Sequence, residues 1–369
     1  MPKLPTSERP KQMRVVDLFC GCGGLSLGAH MAGMEVALSV DRDGVLTSSY
    51  EANFPRAHLL QADVATLSGS DLLRYAGGSI DGIIGGPPCQ GFSEIGLAAP
   101  DDPRRALLGH FFRLVSEVRP RFFLMENVRG LVFEKNRSEL EAALARVREQ
   151  YTLLGPTKLD AAAFGAATTR PRVFVVGYDH QFMDPFSIDD VRAFGRPPAN
   201  VLDAIGDLQD AVTDGVCFNG FDWWRYSSHV PPSLYARRLR GTRRLFTGHR
   251  RVPHAPAIVE RFAAVPPGGR DRIGRHIRLD WNKQCPTLRA GTGPDRGSFQ
   301  AVRPLHPSEP RVITVREAAR LQGFPDRFQF HPTAWHSFRM IGNSVSPIIA
   351  ERVLKAIRLR AEAVPLAAE

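Results

Sequence analysis

Short apolar segments alternate with helix-like segments through the first half of the chain, and this alternation limits the folds open to it. The apolar segments are predicted strands at residues 14–19, 35–40, 80–84, 121–125 and 172–177. Between them, helical spacing is found in the segment that ends at residue 30 and at 43–53, 107–118 and 138–150. In the last of these, Ser138 is the predicted cap, with Glu141 three residues on. Strands that alternate with helices form parallel sheets covered on both faces. The pattern predicts an α/β fold built on a doubly wound, mostly parallel sheet.

The alternation breaks at about residue 186. From 186 to 310, proline, glycine and arginine become frequent and helical periodicity fades, which predicts a separate, irregular strand-and-loop domain. Helical signals return where Thr314 and Glu317 make a capping-box pattern, and a last helix is predicted at 347–361. The predicted division is therefore 1–185 plus 336–369 for the first domain, 186–310 for the second, and 311–335 for a hinge or return segment.

The composition excludes several classes of protein. Hydrophobic residues make up 43% of the 369 residues and charged residues 23%, as in globular rather than disordered chains. No run approaches roughly eighteen apolar residues, so no transmembrane helix is expected, and the start of the sequence lacks the apolar core of a signal peptide. Five cysteines, sparse and odd in number, indicate a cytoplasmic protein without a disulfide scaffold. Their spacing does not match a zinc site.

Positive charge is concentrated in one region of the second domain. Lys plus Arg number 48 and Asp plus Glu 38, and residues 221–278 hold thirteen arginines and three acids, so this region carries the whole excess. Arginine is interleaved there with tryptophan, tyrosine and phenylalanine. Arginine forks suit phosphates and guanine edges, and aromatic rings can stack on bases. The region predicts a nucleic-acid surface; the alternative is a solvated face that keeps an irregular domain soluble.

A glycine-rich turn follows the first predicted strand, at residues 17–24. Glycines at the carboxyl edge of a parallel sheet let the backbone approach a ligand closely. Asp41 ends the second strand, where a carboxylate can meet ribose hydroxyls, and Asp63 ends a third, where it can accept from an adenine amino group. The glycine spacing differs from that of dinucleotide-binding folds. These residues predict an adenosine-bearing cofactor of open identity, with a structural tight turn as the alternative.

Three further segments bring reactive side chains to the same predicted edge. Cys89 follows a central strand, and the prolines before it stiffen its approach. Such a cysteine is either a small buried hydrophobe or, in a cleft, a nucleophile. Glu126 ends the next strand, where it either faces the same cleft or serves as a turn or salt-bridge residue. Residues 169–172 (Thr-Arg-Pro-Arg) begin another strand.

Together, six ordered motifs resemble those of the cytosine-C5 DNA methyltransferases. They lie at 17–24, 86–93, 119–128, 170–174, 314–325 and 341–345. The similarity extends over residues 13–355, with a gap where the family carries its variable recognition region. It implies S-adenosylmethionine as cofactor, S-adenosylhomocysteine as product, no metal, and a Rossmann-like sheet. Three positions depart from the family: Thr168 and Met340 stand where Gln is usual, and Asp41 where Glu is frequent.

The resemblance also implies roles for individual residues. Cys89 is the nucleophile that adds to C6 of cytosine, Glu126 the acid near N3, and Arg172 a donor to the O2 side. The residues that match the family's cofactor pocket are Phe19, Gly21, Gly23, Asp41, Asp63, Pro87, Asn343, Ser344 and Val345. The residues that we expect to contact DNA are Gln90, Ser93, Arg170, Arg225, Arg237, Arg243 and Arg250.

In these terms the first domain is catalytic and binds the cofactor, and the second is a target-recognition domain. The implied substrate is cytosine in double-stranded DNA, flipped out of the duplex to reach the cleft. A monomer on DNA is expected, in a bacterial or phage restriction-modification system, with a cognate restriction endonuclease as candidate partner. The target sequence cannot be read from these residues.

Three alternatives are disfavoured. The sizeable arginine-rich domain disfavours a tRNA methyltransferase, and the intact Cys89, Glu126 and Arg172 disfavour a non-catalytic DNA-binding regulator. The glycine spacing and the Pro-Cys-Gln motif disfavour a nicotinamide oxidoreductase.

Overall fold

The fold is described from a computed structural model, for residues 12–88, 106–242, 244–290 and 303–363. The strands are β1 (Arg14–Leu18), β2 (Glu35–Asp41), β3 (His58–Gln61), β4 (Gly82–Gly85), β5 (Phe122–Asn127), β6 (Thr152–Asp160), β7 (Pro171–Tyr178), β8 (Val212–Phe218), β9 (Phe221–Arg225) and β10 (Leu245–Thr247). The α-helices are α1 (Gly24–Met31), α2 (Tyr50–Asn53), α3 (Gly69–Ala76), α4 (Ala106–Val118), α5 (Arg137–Ala145), α6 (Ile188–Arg192), α7 (Val201–Ile205), α8 (Leu234–Arg240), α9 (Pro256–Ala263), α10 (Val315–Gln322), α11 (Ala334–Asn343) and α12 (Pro347–Glu362).

Seven of the described strands form the main sheet, in the order β3-β2-β1-β4-β5-β7-β6. The pairs from β3 to β5 are parallel, whereas β7 runs antiparallel to both of its neighbours. The strand order reverses between β1 and β4, where Leu18 pairs with Gly85 at the carboxyl ends. In such sheets, ligands bind in the crevice beyond the carboxyl ends at this reversal. The predicted doubly wound, mostly parallel α/β fold is confirmed.

Two helices are shorter than their sequence patterns indicate. The helix predicted at 43–53 is confined to α2, because the Asp43 carboxylate accepts from the backbone N–H groups of Val45 (3.0 Å) and Leu46 (3.1 Å) and holds a turn there. Ser138 is not the cap of α5 but lies inside its first turn, after the N-cap Asn136. Beyond Ala145 the N–H groups of Arg146, Val147 and Gln150 bond to the carbonyl oxygen three residues before, not four, so this helix ends before Gln150.

The edge strand β6 was not predicted. It contains Gly155 and Pro156, which usually indicate a turn, and its pairing with β7 shifts register between Leu154 and Thr157. An edge strand tolerates such an irregularity because one side of its backbone has no partner strand. The missing N–H of a proline can face that side, or lie at a bulge, without the loss of a hydrogen bond between strands. The other predicted strands agree with β1, β2, β4, β5 and β7.

A second hydrophobic core lies between the main sheet and the arginine-rich region. Strands β8, β9 and β10 form a small antiparallel sheet, and Phe246 of β10 is buried in this core with Leu279 and Cys285. Helix α10, predicted as part of a hinge, packs into the same core through Ala318 and Leu321. The division at residues 311 and 335 stays a prediction, but the segment between them is a packed element rather than an exposed linker.

A buried ionic network joins α8 and α10. The guanidinium of Arg320 donates to Asp326 Oδ1 (2.8 Å) and to Asp207 Oδ1 (2.7 Å), and all three side chains are inaccessible to solvent. Arg240 donates to the second oxygen of Asp207 (2.7 Å) and stacks on the ring of Tyr226. Both aspartates are thus shared or held by arginines, which offsets the cost of burying their charges.

The packing of glycine against phenylalanine inside the main sheet gives a test of this fold. Gly177 of β7 pairs with Phe123 of β5, and a Cβ added there would lie 2.0 Å from Phe123 Cε1. We expect Gly177→Ala to lower the free energy of unfolding by about 1–3 kcal/mol, because the core must shift to make room. Urea unfolding followed by circular dichroism measures this change.

The matched control is Gly109→Ala in α4, where an added Cβ meets nothing within 4 Å. This variant should be neutral or more stable by up to about 1 kcal/mol, because alanine favours helix. Equal stabilities for the two variants would contradict the strand pairing described here.

Candidate active site

The glycine-rich loop after β1 needs its glycines for backbone conformation and for space. Gly21 and Gly23 have φ angles of 52° and 92°, in the left-handed region that glycine favours. A Cβ at Gly23 would lie 2.4 Å from the Phe54 ring, and one at Gly24 would lie 1.9 Å from Ser344 Oγ. The loop therefore packs closely on both sides, and α1 begins directly after it.

Two acids stand at the ends of neighbouring strands, as predicted. Asp41 accepts from the N–H groups of Gly21 (2.9 Å) and Asp43 (2.8 Å), and burial raises its pKa. Asp63 accepts from Ala65 N (2.9 Å) and from Arg42 Nη1 (3.1 Å). Both carboxylates therefore shape the loops at the carboxyl edge as well as facing the cleft.

Glu126 and Arg172 form an ion pair at the end of β5 and the start of β7. Arg172 Nε lies 2.9 Å from Glu126 Oε1, and both side chains are about nine-tenths buried. Burial raises the pKa of Glu126, and the positive charges of Arg172 and Arg170 partly oppose that rise. Glu126 Oε2 faces Gly86, where an added Cβ would lie 3.2 Å from it.

Asn127, to which the sequence analysis gave no role, ties the two strand ends together. Its Nδ2 donates to Pro87 O (3.1 Å), and its Oδ1 accepts from Val128 N (2.9 Å). In the sequence, the signal that could have indicated this role is an amide side chain at the end of an apolar strand segment. Pro88 is the last described residue before a gap, so Cys89, Gln90 and Ser93 lie outside the described residues.

The C-terminal motif closes the site from the other side. Asn343, Ser344 and Val345 line one cavity of about 400 Å³ together with Phe19, Gly21, Asp41, Asp63 and Pro87. Glu126 and Arg172 line the same cavity. Gly23 is not among its lining residues but shapes the loop behind it. The structure thus brings eight of the nine predicted cofactor residues and two of the three predicted catalytic residues into one space.

Arg170 was predicted to contact DNA, and the structure contradicts this. Its side chain is 1% exposed, and its guanidinium donates to the carbonyl oxygens of Leu288 (2.8 Å), Gly342 (2.7 Å) and Ser344 (2.7 Å). A guanidinium used in this way inside the protein is not presented to a phosphate or a base. Arg170 instead joins the C-terminal motif to the segment around Leu288, which belongs to the predicted second domain.

The other predicted DNA-contacting arginines are on the surface. Arg237 and Arg250 are exposed, and the exposed Arg225 pairs with Asp214. The loop that carries Arg250 is held by Asp222, whose carboxylate accepts from three consecutive N–H groups, 248 to 250, at 2.7–3.1 Å. Arg243 lies outside the described residues.

In the four described ranges, no three His, Cys, Asp or Glu side chains are grouped so that they could hold a metal ion. Within the same ranges, no helix has the length and apolar character needed to cross a membrane.

The sequence profile of the C-5 cytosine-specific DNA methylases matches residues 13–359. The chain belongs to this family. It is a DNA (cytosine-5-)-methyltransferase, as the motifs predicted. It is 39% identical to the type II methyltransferase M.XorII of Xanthomonas oryzae pv. oryzae, over 94% of this chain and 86% of that protein.

Solved structures agree with this assignment. A prophage-encoded E. coli protein, named as a DNA modification methyltransferase, is 39% identical to this methylase, with a TM-score of 0.82 over 95% of this chain and all of that one. The Dnmt2 methyltransferase of S. pombe, at 20% identity, has a TM-score of 0.61 over 95% of this chain and 99% of its own. This second likeness shows the shared fold.

The ion pair at the centre of the site gives a prediction about the pKa of Glu126. We expect Arg172→Gln to raise that pKa further, because the neutral amide no longer stabilises the charged carboxylate 2.9 Å away. The carboxylate would then form only at higher pH than in the wild type. Carbon NMR titration of protein labelled at its glutamate carboxyl groups measures this, with Glu126→Gln to identify the resonance.

Arg148→Gln is the control, because Arg148 pairs with the exposed Glu141. It should leave the titration of Glu126 unchanged. A pKa of Glu126 that stays the same or falls in Arg172→Gln would show that this ion pair does not set its protonation.

Proposed function

We propose that this methylase transfers a methyl group from S-adenosylmethionine to C5 of a cytosine flipped out of duplex DNA, through a covalent bond between Cys89 and C6. The observation that carries the proposal is the position of the Glu126–Arg172 pair. It lines the same cavity as the proposed cofactor residues, beside the Pro87–Pro88 segment that leads to Cys89. Acid, cation and cofactor pocket therefore converge on one point of the sheet edge.

The chemistry requires activation of the base. Cytosine C5 is a weak nucleophile, and a thiolate that adds its electron pair to C6 makes C5 reactive, which divides one hard step into easier ones. Negative charge then develops towards N3 and O2. A protonated Glu126, favoured by its raised pKa, donates at N3, and Arg172 stabilises charge at O2. After transfer, C5 loses its proton and the thiolate of Cys89 leaves.

The residues of the cavity fit S-adenosylmethionine, which supplies the methyl group when bound. Asp41 and Asp63 offer carboxylate oxygens at the adenosine end, beside the loop in which Gly23 and Gly24 are closely packed. Asn343, Ser344 and Val345 close the opposite wall. Polar groups in this arrangement match an adenosine joined to a charged amino acid.

The DNA surface that we propose uses only part of the arginine-rich region. Arg240 and Arg278 form their contacts inside the protein. Arg240 pairs with Asp207, and Arg278 donates to the carbonyl oxygens of His306 (2.8 Å) and Phe262. Within residues 221–278, the exposed arginines with no ion pair to another described residue are Arg237, Arg244, Arg250, Arg270, Arg272 and Arg275. The latter group is the one that we assign to phosphates and base edges.

One hairpin of this surface suits insertion into a duplex. Arg270 and Ile277 pair across its base, and Asp271 N donates to His276 O (2.7 Å), so the loop is braced. Ile273 at its tip is 66% exposed and is flanked by the exposed Arg272 and Arg275. Apolar side chains between arginines are used to open base steps, which supports flipping of the target cytosine.

The setting that we propose is a restriction-modification system, because curated relatives such as M.XorII are named type II methyltransferases. In this proposal the enzyme acts in the cytoplasm as a monomer on double-stranded DNA. A cognate restriction endonuclease would cut the same sequence. Residues 186–310 would supply the choice of sequence, and 1–185 with 336–369 the chemistry.

Trapping with a fluorinated base tests the covalent step. Duplex DNA in which 5-fluorocytosine replaces every cytosine needs no knowledge of the target sequence. With S-adenosylmethionine present, the wild type should form a lasting adduct, because fluorine at C5 cannot leave as a proton does. Cys89→Ala should form none, in a denaturing gel or by mass spectrometry.

Cys217→Ala is the control for this experiment, because Cys217 is an exposed cysteine of β8. It should be trapped as the wild type is. An adduct with Cys89→Ala would overturn the assignment of the nucleophile.

The two groups of arginines should respond differently to alanine substitution. Replacing an exposed arginine that contacts phosphate, such as Arg244 or Arg272, should reduce the slope of the logarithm of duplex affinity against the logarithm of salt concentration by about 0.9. One that reads a base edge should cost about 1–3 kcal/mol on cognate DNA only. Replacing the buried Arg278 should instead lower stability, seen in thermal unfolding.

Arg148→Ala serves as the matched control, since Arg148 is an exposed arginine on the catalytic half. Its binding curves at different salt concentrations should match those of the wild type. If all six exposed arginines behave as Arg148 does, this face is not the DNA surface.

A further inference from the structure

A second cavity, separate from the one at the sheet edge, lies where α8, the end of β9 and the start of β10 meet. Its volume is about 400 Å³, and it shares no lining residue with the active-site cavity. It is lined by four arginines of the described ranges, Arg225, Arg237, Arg240 and Arg244, and by the side chain of Tyr226. No acidic residue of the described ranges lines it. The cavity is therefore positive, and it favours an anion.

Two of these arginines carry charge that no described acid neutralises. Arg237 and Arg244 are exposed, and neither has an ion pair with another described residue. Arg225 differs from them, because its guanidinium pairs with Asp214. The charge of Arg237 and Arg244 is therefore available to a ligand that enters the cavity.

Arg240 forms a fixed wall of the same cavity. Its guanidinium carbon lies 3.9 Å from the centroid of the Tyr226 ring, and its Nε donates to Asp207 Oδ2 (2.7 Å). The Tyr226 ring stacks on Phe246, with centroids 4.7 Å apart, and its hydroxyl donates to Asp326. A side chain held in this way has little freedom left to lose, so binding beside it costs little further ordering.

The arrangement of the guanidinium groups fits a phosphate group better than the edge of a base. Guanidinium forks bind phosphate oxygens through paired N–H donors. The four arginines reach the cavity from three segments, namely α8, the end of β9 and the residues before β10. Donors that come from several directions match a tetrahedral anion, whereas a base edge presents its acceptors in one plane.

We propose that this cavity binds a phosphate group, with Arg237 and Arg244 as its charged ligands and Arg240 as its fixed wall. The phosphate belongs either to the backbone of a bound duplex or to a free phosphate compound. The first of these sources rests on the proposed DNA surface, and the second does not. In both cases the site is distinct from the cavity in which methyl transfer is proposed.

Calorimetry with inorganic phosphate, in the absence of DNA, tests the site. The wild type should bind phosphate, measured against sodium chloride of equal ionic strength, and should not bind guanosine. Arg237→Gln and Arg244→Gln should each weaken phosphate binding by about 10- to 100-fold, the range expected for a lost hydrogen bond to a charged group. Both side chains are exposed, so thermal unfolding of these variants should match that of the wild type.

Arg272→Gln is the matched control, because Arg272 is an exposed arginine of the same arginine-rich region that does not line this cavity. It should bind phosphate as the wild type does. A wild type that does not bind phosphate, or equal weakening in all three variants, would overturn the inference. Binding of guanosine in place of phosphate would assign the cavity to a base edge instead and would also overturn it.

Competition between phosphate and duplex DNA, at constant ionic strength, separates the two sources. If the DNA backbone fills the cavity, phosphate should weaken duplex binding by the wild type but not by a variant with both Arg237→Gln and Arg244→Gln. If a free phosphate compound fills it, the wild type should bind phosphate and duplex together. A wild type that binds phosphate but no duplex would contradict the proposed DNA surface and would still support this site.

Discussion

The guanidinium of Arg170 joins three segments on which the whole active site depends. Its bonds to the carbonyl oxygens of Leu288, Gly342 and Ser344 connect the start of β7, a segment of the predicted second domain and the C-terminal motif that lines the cavity. Gly342 meets the second domain again, because a Cβ there would lie 2.3 Å from Ala290 N. The segment around Ala290 and the C-terminal motif are therefore packed against each other with no room for an intervening side chain. A shift of either part would have to break buried hydrogen bonds to charge, which is costly.

Parallel strands explain why the reactive groups meet. The carboxyl ends of β1, β2, β4 and β5 all reach one edge of the sheet, so residues as distant in sequence as Asp41 and Glu126 line one cavity. The antiparallel β7 is the exception, and it brings Arg172 from its amino end to the same edge. This reversal places a cation beside a buried acid. Without it, burial alone would raise the pKa of Glu126 further, since Arg172 is the strongest influence that holds it down.

The charge of the second domain serves two physical purposes. Some arginines neutralise buried acids, as Arg240 and Arg320 do around Asp207, and so hold an irregular domain of short elements together. Others project without an ion pair from loops that are themselves braced, as Arg250 does on the loop held by Asp222. Net charge alone cannot separate these groups. The alternative of a merely solvated arginine-rich face therefore fails for the buried members.

The sequence by itself determined the family, the alternating fold and most of the residues that meet in the cavity proposed to bind the cofactor, because strand and helix patterns and motif spacing are local properties of the chain. Local patterns misjudged Ser138, the helix at 43–53 and the edge strand β6, where turns and bulges compete with regular structure. Only the tertiary structure decided that Arg170 points inward, since its environment is built from segments far apart in sequence. The sequence of a motif is the same whether the guanidinium of its arginine contacts a phosphate or three carbonyl groups. Only the packing of distant segments distinguishes the two cases.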